Sequence, residues 1–215
     1  EGSLVWLAAD MTIRELSRGT KSLDDFAKAF FGVRDADWGV LTYDFDEVVR
    51  TLNSVQPYDW AKFLDTRLRQ PGQPAPLTGI EKGGYKLVWK EEPNIFDKEI
   101  MKEGSNLNLI HSLGLTLDKD GKVTSVFWNS PAFKADIVNG AKIIAIGGIA
   151  YSKDRLTDAV TAAKDGKTPV RLLVERNKRY EQIDIAYSGG LRYPHLEPSG
   201  TGETAIDRLL APRRK

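Results

Sequence analysis

Ser130-Pro131-Ala132-Phe133-Lys134-Ala135-Asp136-Ile137, continued by Asn139-Gly140-Ala141-Lys142-Ile143-Ile144-Ala145-Ile146-Gly147-Gly148, is the stretch whose reading decides the fold. Ser130, placed before a proline, reads as a turn residue; Asp136 is a residue type that can enter the left-handed backbone region; and residues 143–146 read as a strand. Upstream lie Ser112-Leu113-Gly114-Leu115 and then Asp118-Lys119-Asp120-Gly121-Lys122. The second of these is a hairpin signal between strands at 113–117 and 123–128, because Asp and Gly tolerate the positive φ that such turns require. Downstream, 170–174 and 180–187 supply further strands. Between them Ser152 or Asp154 can cap a helix whose Leu156, Ala159, Val160 and Ala163 share one face and which ends at Gly166.

The first half has a different rhythm. Residues 4–16 are rich in helix formers and apolar on most sides, which suits a helix packed inside a larger body. Ser22-Leu23-Asp24-Asp25 reads as a capping-box-like start leading into Leu23, Phe26, Ala27, Phe30 and Phe31. Further starts stand at Asp44, with a stop at Pro57, and at Asp59 before Trp60, Phe63 and Leu64. Pro71-Gly72-Gln73-Pro74-Ala75-Pro76 is a turn-rich connector. From Gly83-Gly84 a strand at 85–89 follows, then a helix or lid over 95–102 before Gly104. The reading divides the chain into a helical part (1–80), a connector with a strand (81–105), a β-rich part (106–188) and a C-terminal extension (189–215) with a short helix near 205–210.

Composition narrows the function classes. A length of 215 residues with 41% hydrophobic and 28% charged residues is ordinary for a globular chain and excludes wholesale disorder. With 31 basic against 30 acidic residues the net charge is +1, so no global field gathers nucleic acid or an anionic membrane. The closing Pro212-Arg213-Arg214-Lys215 reads as a solvated tail. The absence of cysteine excludes disulfides, thiolate metal sites and cysteine nucleophiles, and leaves the compartment open. The longest apolar run, Leu4 to Ala9, is too short to cross a bilayer. The opening Glu1-Gly2-Ser3 lacks a signal-peptide pattern and reads as the middle of a longer polypeptide.

Familiar catalytic sets are missing. A zincin needs two imidazoles one helical turn apart with a glutamate base, and the two histidines here, His111 and His195, are far apart in sequence. No G-x-S-x-G elbow exposes a serine. The pairs Gly83-Gly84, Gly147-Gly148 and Gly189-Gly190 lack the spacing and lysine of a phosphate loop. Asp24-Asp25 and Asp44-Phe45-Asp46-Glu47 sit where helix caps belong. Trp6, Trp38, Tyr58, Trp60 and Phe63 read as core aromatics rather than a ligand cage.

Ser130–Ile137 with Asn139–Gly148, together with the Ser112–Leu115 loop, resembles the characteristic segments of a PDZ domain. The wider set resembles the C-terminal part of a bacterial glycyl aminopeptidase-type zinc peptidase. That set is Gly2 to Asp10 with Ile13-Arg14, Ser22 to Phe26, Asp59-Trp60 with Phe63-Leu64, the PDZ landmarks and Gly190-Leu191-Arg192-Tyr193-Pro194-His195-Leu196. The chain departs from the PDZ pattern at Asp136, where glycine is usual, and at Gly140-Ala141, where Gly-Asp is usual. It also has no basic residue immediately before Leu113-Gly114-Leu115.

This resemblance implies an α+β chain: the helical end of a thermolysin-like catalytic domain followed by a PDZ domain, a small β-barrel or sandwich with a groove helix. It implies that the zinc ligands and the catalytic tyrosine lie upstream of Glu1. This chain would then carry no catalytic residue, no metal ligand and no cofactor of its own, and would be inactive alone although its parent is a zinc metallo-aminopeptidase. The expected partner is a peptide or protein segment, the parent's own catalytic domain included, with no nucleic acid and no membrane span. Such a ligand would pair with the strand edge at Leu115, Thr116 and Leu117, its end held by the Leu113-Gly114 loop, while Leu156, Ala159, Val160 and Ala163 wall the groove. A periplasmic or secreted setting follows from the family. The alternative is a stand-alone PDZ adaptor with a helical N-terminal domain.

Overall fold

The computed structural model describes residues 1–32, 36, 39–104 and 106–212. It is a mixed helix and sheet fold that divides into two compact units: residues 1–87 with 196–215, and residues 88–195. Trp38 and residues 213–215 of the expected tail lie outside the described residues.

The first unit is built from α1 (Gly2–Leu16), α2 (Leu23–Phe31), α3 (Phe45–Val55), α4 (Trp60–Leu68) and α5 (Thr78–Lys82), closed by α9 (Ala205–Leu210) from the far end of the chain. The starts fall where side chains can satisfy orphan helix N–H groups. Ser22 and Asp25 form a reciprocal capping box, Asp44 accepts from the Glu47 N–H at 2.7 Å, and Asp59 accepts from the Lys62 N–H at 3.1 Å. Their apolar faces converge on one core of Val5, Ala9, Ile13, Phe26, Leu52, Val55, Trp60 and Leu64.

Asp10 is buried inside this unit at 3% exposure because both carboxylate oxygens are used. One accepts from Arg14 Nε at 2.8 Å, the other from the Leu23 N–H at 2.7 Å, which ties α1 to the start of α2. Gly79 lets α5 press directly on α1: a Cβ there would stand 2.5 Å from the Ala8 backbone nitrogen. The aromatics split. Trp60 is fully buried and Phe63 packs on the same core. Trp6 and Tyr58, expected in the core, are 36% and 45% exposed, because each lies at the rim of a cleft, of about 330 Å³ and 430 Å³ respectively.

The C-terminal segment belongs to this unit rather than forming an extension. Ile206 lies against Gly83, the Tyr85 hydroxyl donates to Asp207 Oδ1 at 2.7 Å, and Thr204 and Asp207 form a second capping box. The boundary expected near 105 falls instead at 87 and again at 195. Strand β1 (Tyr85–Lys90) pairs with β9 (Tyr193–Pro198) in a two-stranded sheet.

The second unit holds α6 (Ile95–Glu103), β2 (Leu107–Leu109), β3 (Leu115–Leu117), β4 (Val123–Val126), α7 (Pro131–Lys134), β5 (Lys142–Ile146), β6 (Ile149–Ala150), α8 (Lys153–Ala162), β7 (Val170–Arg176) and β8 (Arg179–Ile185). One sheet has the order β2-β3-β4, the other β6-β5-β7-β8, all antiparallel. The sheets are joined where β4 begins: the Val123 N–H donates to the Ala141 carbonyl at 2.7 Å, and the Ile143 N–H to the Gly121 carbonyl at 2.8 Å. Leucine, isoleucine and valine from every strand but β6, with Leu156, Val160 and Ala163 below α8, fill one core. Asp136 adopts φ +57°, the left-handed backbone its residue type permits.

Replacing Gly79 by alanine should destabilise the first unit by about 1–3 kcal/mol, the range for forced overpacking, since the clash is with backbone. Denaturant unfolding followed by tryptophan fluorescence checks this, and an unchanged midpoint would rule out the close α1–α5 approach.

Candidate functional site

The loop at Ser112-Leu113-Gly114 is positioned by the stretch that decides the fold. Ser130 caps α7, accepting from the Phe133 N–H at 3.1 Å. The Ala132 N–H, in the first turn of that helix, donates to the Leu113 carbonyl at 2.8 Å. The Phe127 N–H donates to the Gly114 carbonyl at 2.8 Å from the end of β4. With its carbonyls taken on one side, the loop turns its N–H groups to the other. Gly114 makes the turn at φ +83° with Ser130 packed so closely that a Cβ has no room.

Those N–H groups converge on a single acceptor. Ser112 N and Gly114 N donate to the Leu109 carbonyl at 3.1 and 2.9 Å, the turn bonds that close the connection from β2 to β3. Leu109 ends β2, which runs antiparallel to β3 in the register Leu107↔Leu117, Asn108↔Thr116, Leu109↔Leu115. β3 therefore has β2 on one edge and β4 on the other, and the open margin expected along Leu115, Thr116 and Leu117 is occupied by the chain itself. The physical reason is the alternation Leu107-Asn108-Leu109, in which both leucines are buried and Asn108 is not. That period-2 signal identifies the strand; at three residues it is too short to stand out among the turn-forming residues before it.

The other expected site residues are gathered by the fold but covered. Leu113, Leu115, Leu117, Leu156 and Val160 are fully buried, Ala163 nearly so, and Ala159 packs against the same cluster. Thr116 is half-buried and turns its hydroxyl to the Thr124 hydroxyl at 2.7 Å. Around β2 lie groups that the sequence did not mark. Asn108 Nδ2 donates to Asp97 Oδ1 at 3.1 Å, and Asp97 is oriented by Asn94 at the start of α6. Lys153 Nζ, in the first turn of α8, reaches the Asn106 carbonyl at 3.4 Å.

Beyond the turn, Arg192 lies 4.6 Å over the Trp89 ring and Trp89 packs at 5.0 Å on His111. Burial lowers the His111 pKa below its ordinary 6.5, opposed by Asp97 and aided by Arg192. The Ser112 hydroxyl accepts from the Arg192 N–H at 3.0 Å, which joins the loop to this stack. Tyr151 is pushed up to about 12 by burial and by Asp118 and Asp120. Tyr193 is raised to about 12 by burial and then by Asp97. Neither phenol ionises near neutral pH. His195 donates through Nε2 to the Glu92 carbonyl at 2.8 Å.

Among the described residues no three His, Cys, Asp or Glu side chains come together to hold a metal ion. No helix among them is long and apolar enough to cross a membrane. The arrangement brings together a three-stranded antiparallel sheet, the turn between its first two strands and the apolar face of α8.

No protein-family model matches the chain, and no curated protein matches it by sequence. Among solved structures, an aminopeptidase N family protein from Idiomarina loihiensis aligns with 96% of this chain at TM-score 0.56 and 16% identity, a likeness of fold alone. The chain spans 34% of that protein's length. The PDZ domain of HtrA3, solved with a phage-derived ligand (FGRWV), aligns with 53% of this chain and 91% of its own length, at 16% identity and a TM-score of 0.26. That score is too low to assign a fold.

Since the folded state favours neutral His111, the stability this group contributes is present above pH 6.5 and is lost as pH falls through its lower folded pKa. An NMR titration of the imidazole should give a midpoint below 6.5, and a midpoint at or above that value would contradict the packed stack.

Proposed function

We propose that this chain is the non-catalytic C-terminal part of a metallo-aminopeptidase. In this reading the first unit completes the helical end of a thermolysin-like catalytic domain, and residues 88–195 are a PDZ-type module that binds or positions peptide. The zinc ligands belong to the parent upstream of Glu1, and a periplasmic or secreted setting goes with that parentage. The fold likeness to an aminopeptidase N family protein over 96% of the chain supports the parentage.

One observation carries the peptide-holding role. β2 lies antiparallel along β3, its last carbonyl bonded by the Ser112 and Gly114 N–H groups of the turn that joins the two strands, and a peptide added to a strand edge would be held by main-chain bonds of the same kind. Main-chain bonds supply the attraction in this mode, and pockets for alternate side chains supply the selectivity. The Ser112 and Gly114 N–H groups are taken by a neutral carbonyl, and no lysine or arginine immediately precedes the loop. Recognition of an internal extended segment therefore fits this site better than recognition that depends on a terminal carboxylate.

Calorimetry of the whole chain against a peptide library, each member prepared as free acid and as amide, tests the role. The expected result is saturable binding by a subset, with acid and amide within about a factor of ten of each other, a difference of about 1.4 kcal/mol. Silence across the library would remove the peptide-holding role.

A further inference from the structure

We infer that Leu107-Asn108-Leu109 is an intramolecular ligand of the peptide site, displaced when an external segment of the same pattern binds; this rests on the peptide-holding reading above. Strand β2 meets every requirement of such a ligand. It lies antiparallel on the β3 edge, its leucines are 5% and 1% exposed in the common core, and its last carbonyl accepts the Ser112 and Gly114 N–H groups of the turn into β3. The ligand class follows from what the segment presents: an extended backbone with medium-sized apolar side chains two residues apart, a polar residue between them, and a free carbonyl at the end.

The fastening is light. Only three residues pair with β3. The side-chain ties are those of Asn108 to Asp97, of Asn108 Oδ1 accepting from the Ile110 N–H at 3.1 Å and, at 3.4 Å, of the Asn108 N–H to Met101 Sδ, with Lys153 on the Asn106 carbonyl. A short ladder held by a few polar contacts at its rim opens at lower cost than the seven-residue pairing of β7 with β8. The buried leucines set the opposing term, because lifting them exposes apolar core unless a replacement pair fills the same places. An external ligand without two such side chains leaves that exposure uncompensated. The site is thus selective for its own motif, and its apparent affinity is reduced by the small fraction of molecules in which β2 is lifted.

The chain contains no cysteine, so Asn108→Cys with Thr116→Cys creates a single reversible lock between directly opposed residues, whose separation in an antiparallel pair suits a disulfide. The probe is a fluorescein-labelled peptide of residues 106–111, Asn-Leu-Asn-Leu-Ile-His, as acid and as amide, read by fluorescence anisotropy. The reduced double variant should bind the probe, and oxidation should weaken binding by at least about tenfold, with reduction restoring it. Equal binding by both forms would overturn displacement while leaving a peptide-binding chain. Binding by neither form would overturn displacement, and only silence of the library would remove the broader role as well. Hydrogen exchange on the unmodified chain gives an independent reading: the Leu107–Leu109 amides should exchange faster than those of Val170–Val174, and identical rates would mean that β2 opens only with the whole unit.

Discussion

Backbone hydrogen bonds on the β2 side of β3 are the constraint from which the second unit follows. Leu115 and Leu117 are fully buried, so the strand that carries them cannot leave its peptide groups unpaired without a substantial desolvation penalty. β4 satisfies one edge through the hairpin; β2 satisfies the other. The turn from β2 to β3 extends the same logic past the end of the ladder. The Ser112 and Gly114 N–H groups, turned inward because α7 and β4 have taken the loop's carbonyls, find their acceptor in Leu109.

Much of the architecture was legible because short-range chemistry specifies it. The starts at Ser22, Asp44, Asp59 and Ser152 carry side chains that cap the first turn, and all four do so. The Asp118–Lys122 turn joins β3 to β4 as expected, and Gly166 ends the helical segment at φ +70°. Two things were not legible, for different reasons. β2 is three residues long, fewer than two periods of strand alternation, and becomes a strand only because β3 lies beside it. The division of the chain rests on partners remote in sequence, such as Tyr85 with Asp207 and Asn94 with the Pro194 carbonyl, which no local pattern encodes.

At the candidate site the expected residues are gathered by apolar spacing, and their burial differs from that of an open groove. Leu113 to Leu117 and the Leu156, Ala159, Val160 and Ala163 face do come together. Apolar spacing shows which side chains share a face, but not which part of the chain covers that face. Asp97, Met101 and Asn108, which tie α6 to β2, lie in a region whose sequence suggests a helix or lid and no chemistry.

The path of the chain through the two units has a consequence for synthesis. Residues 88–195 form a continuous block, whereas the first unit takes α9 and its neighbours from residues 196–215. On a ribosome the entire β-rich block therefore emerges before the helical body has all its pieces. The block can close as each hairpin appears, while the helices made before it wait for the segment from residue 196 onward. Truncation or stalling late in translation would then leave the helical body short of Ile206 and Asp207 while the block made before it is whole.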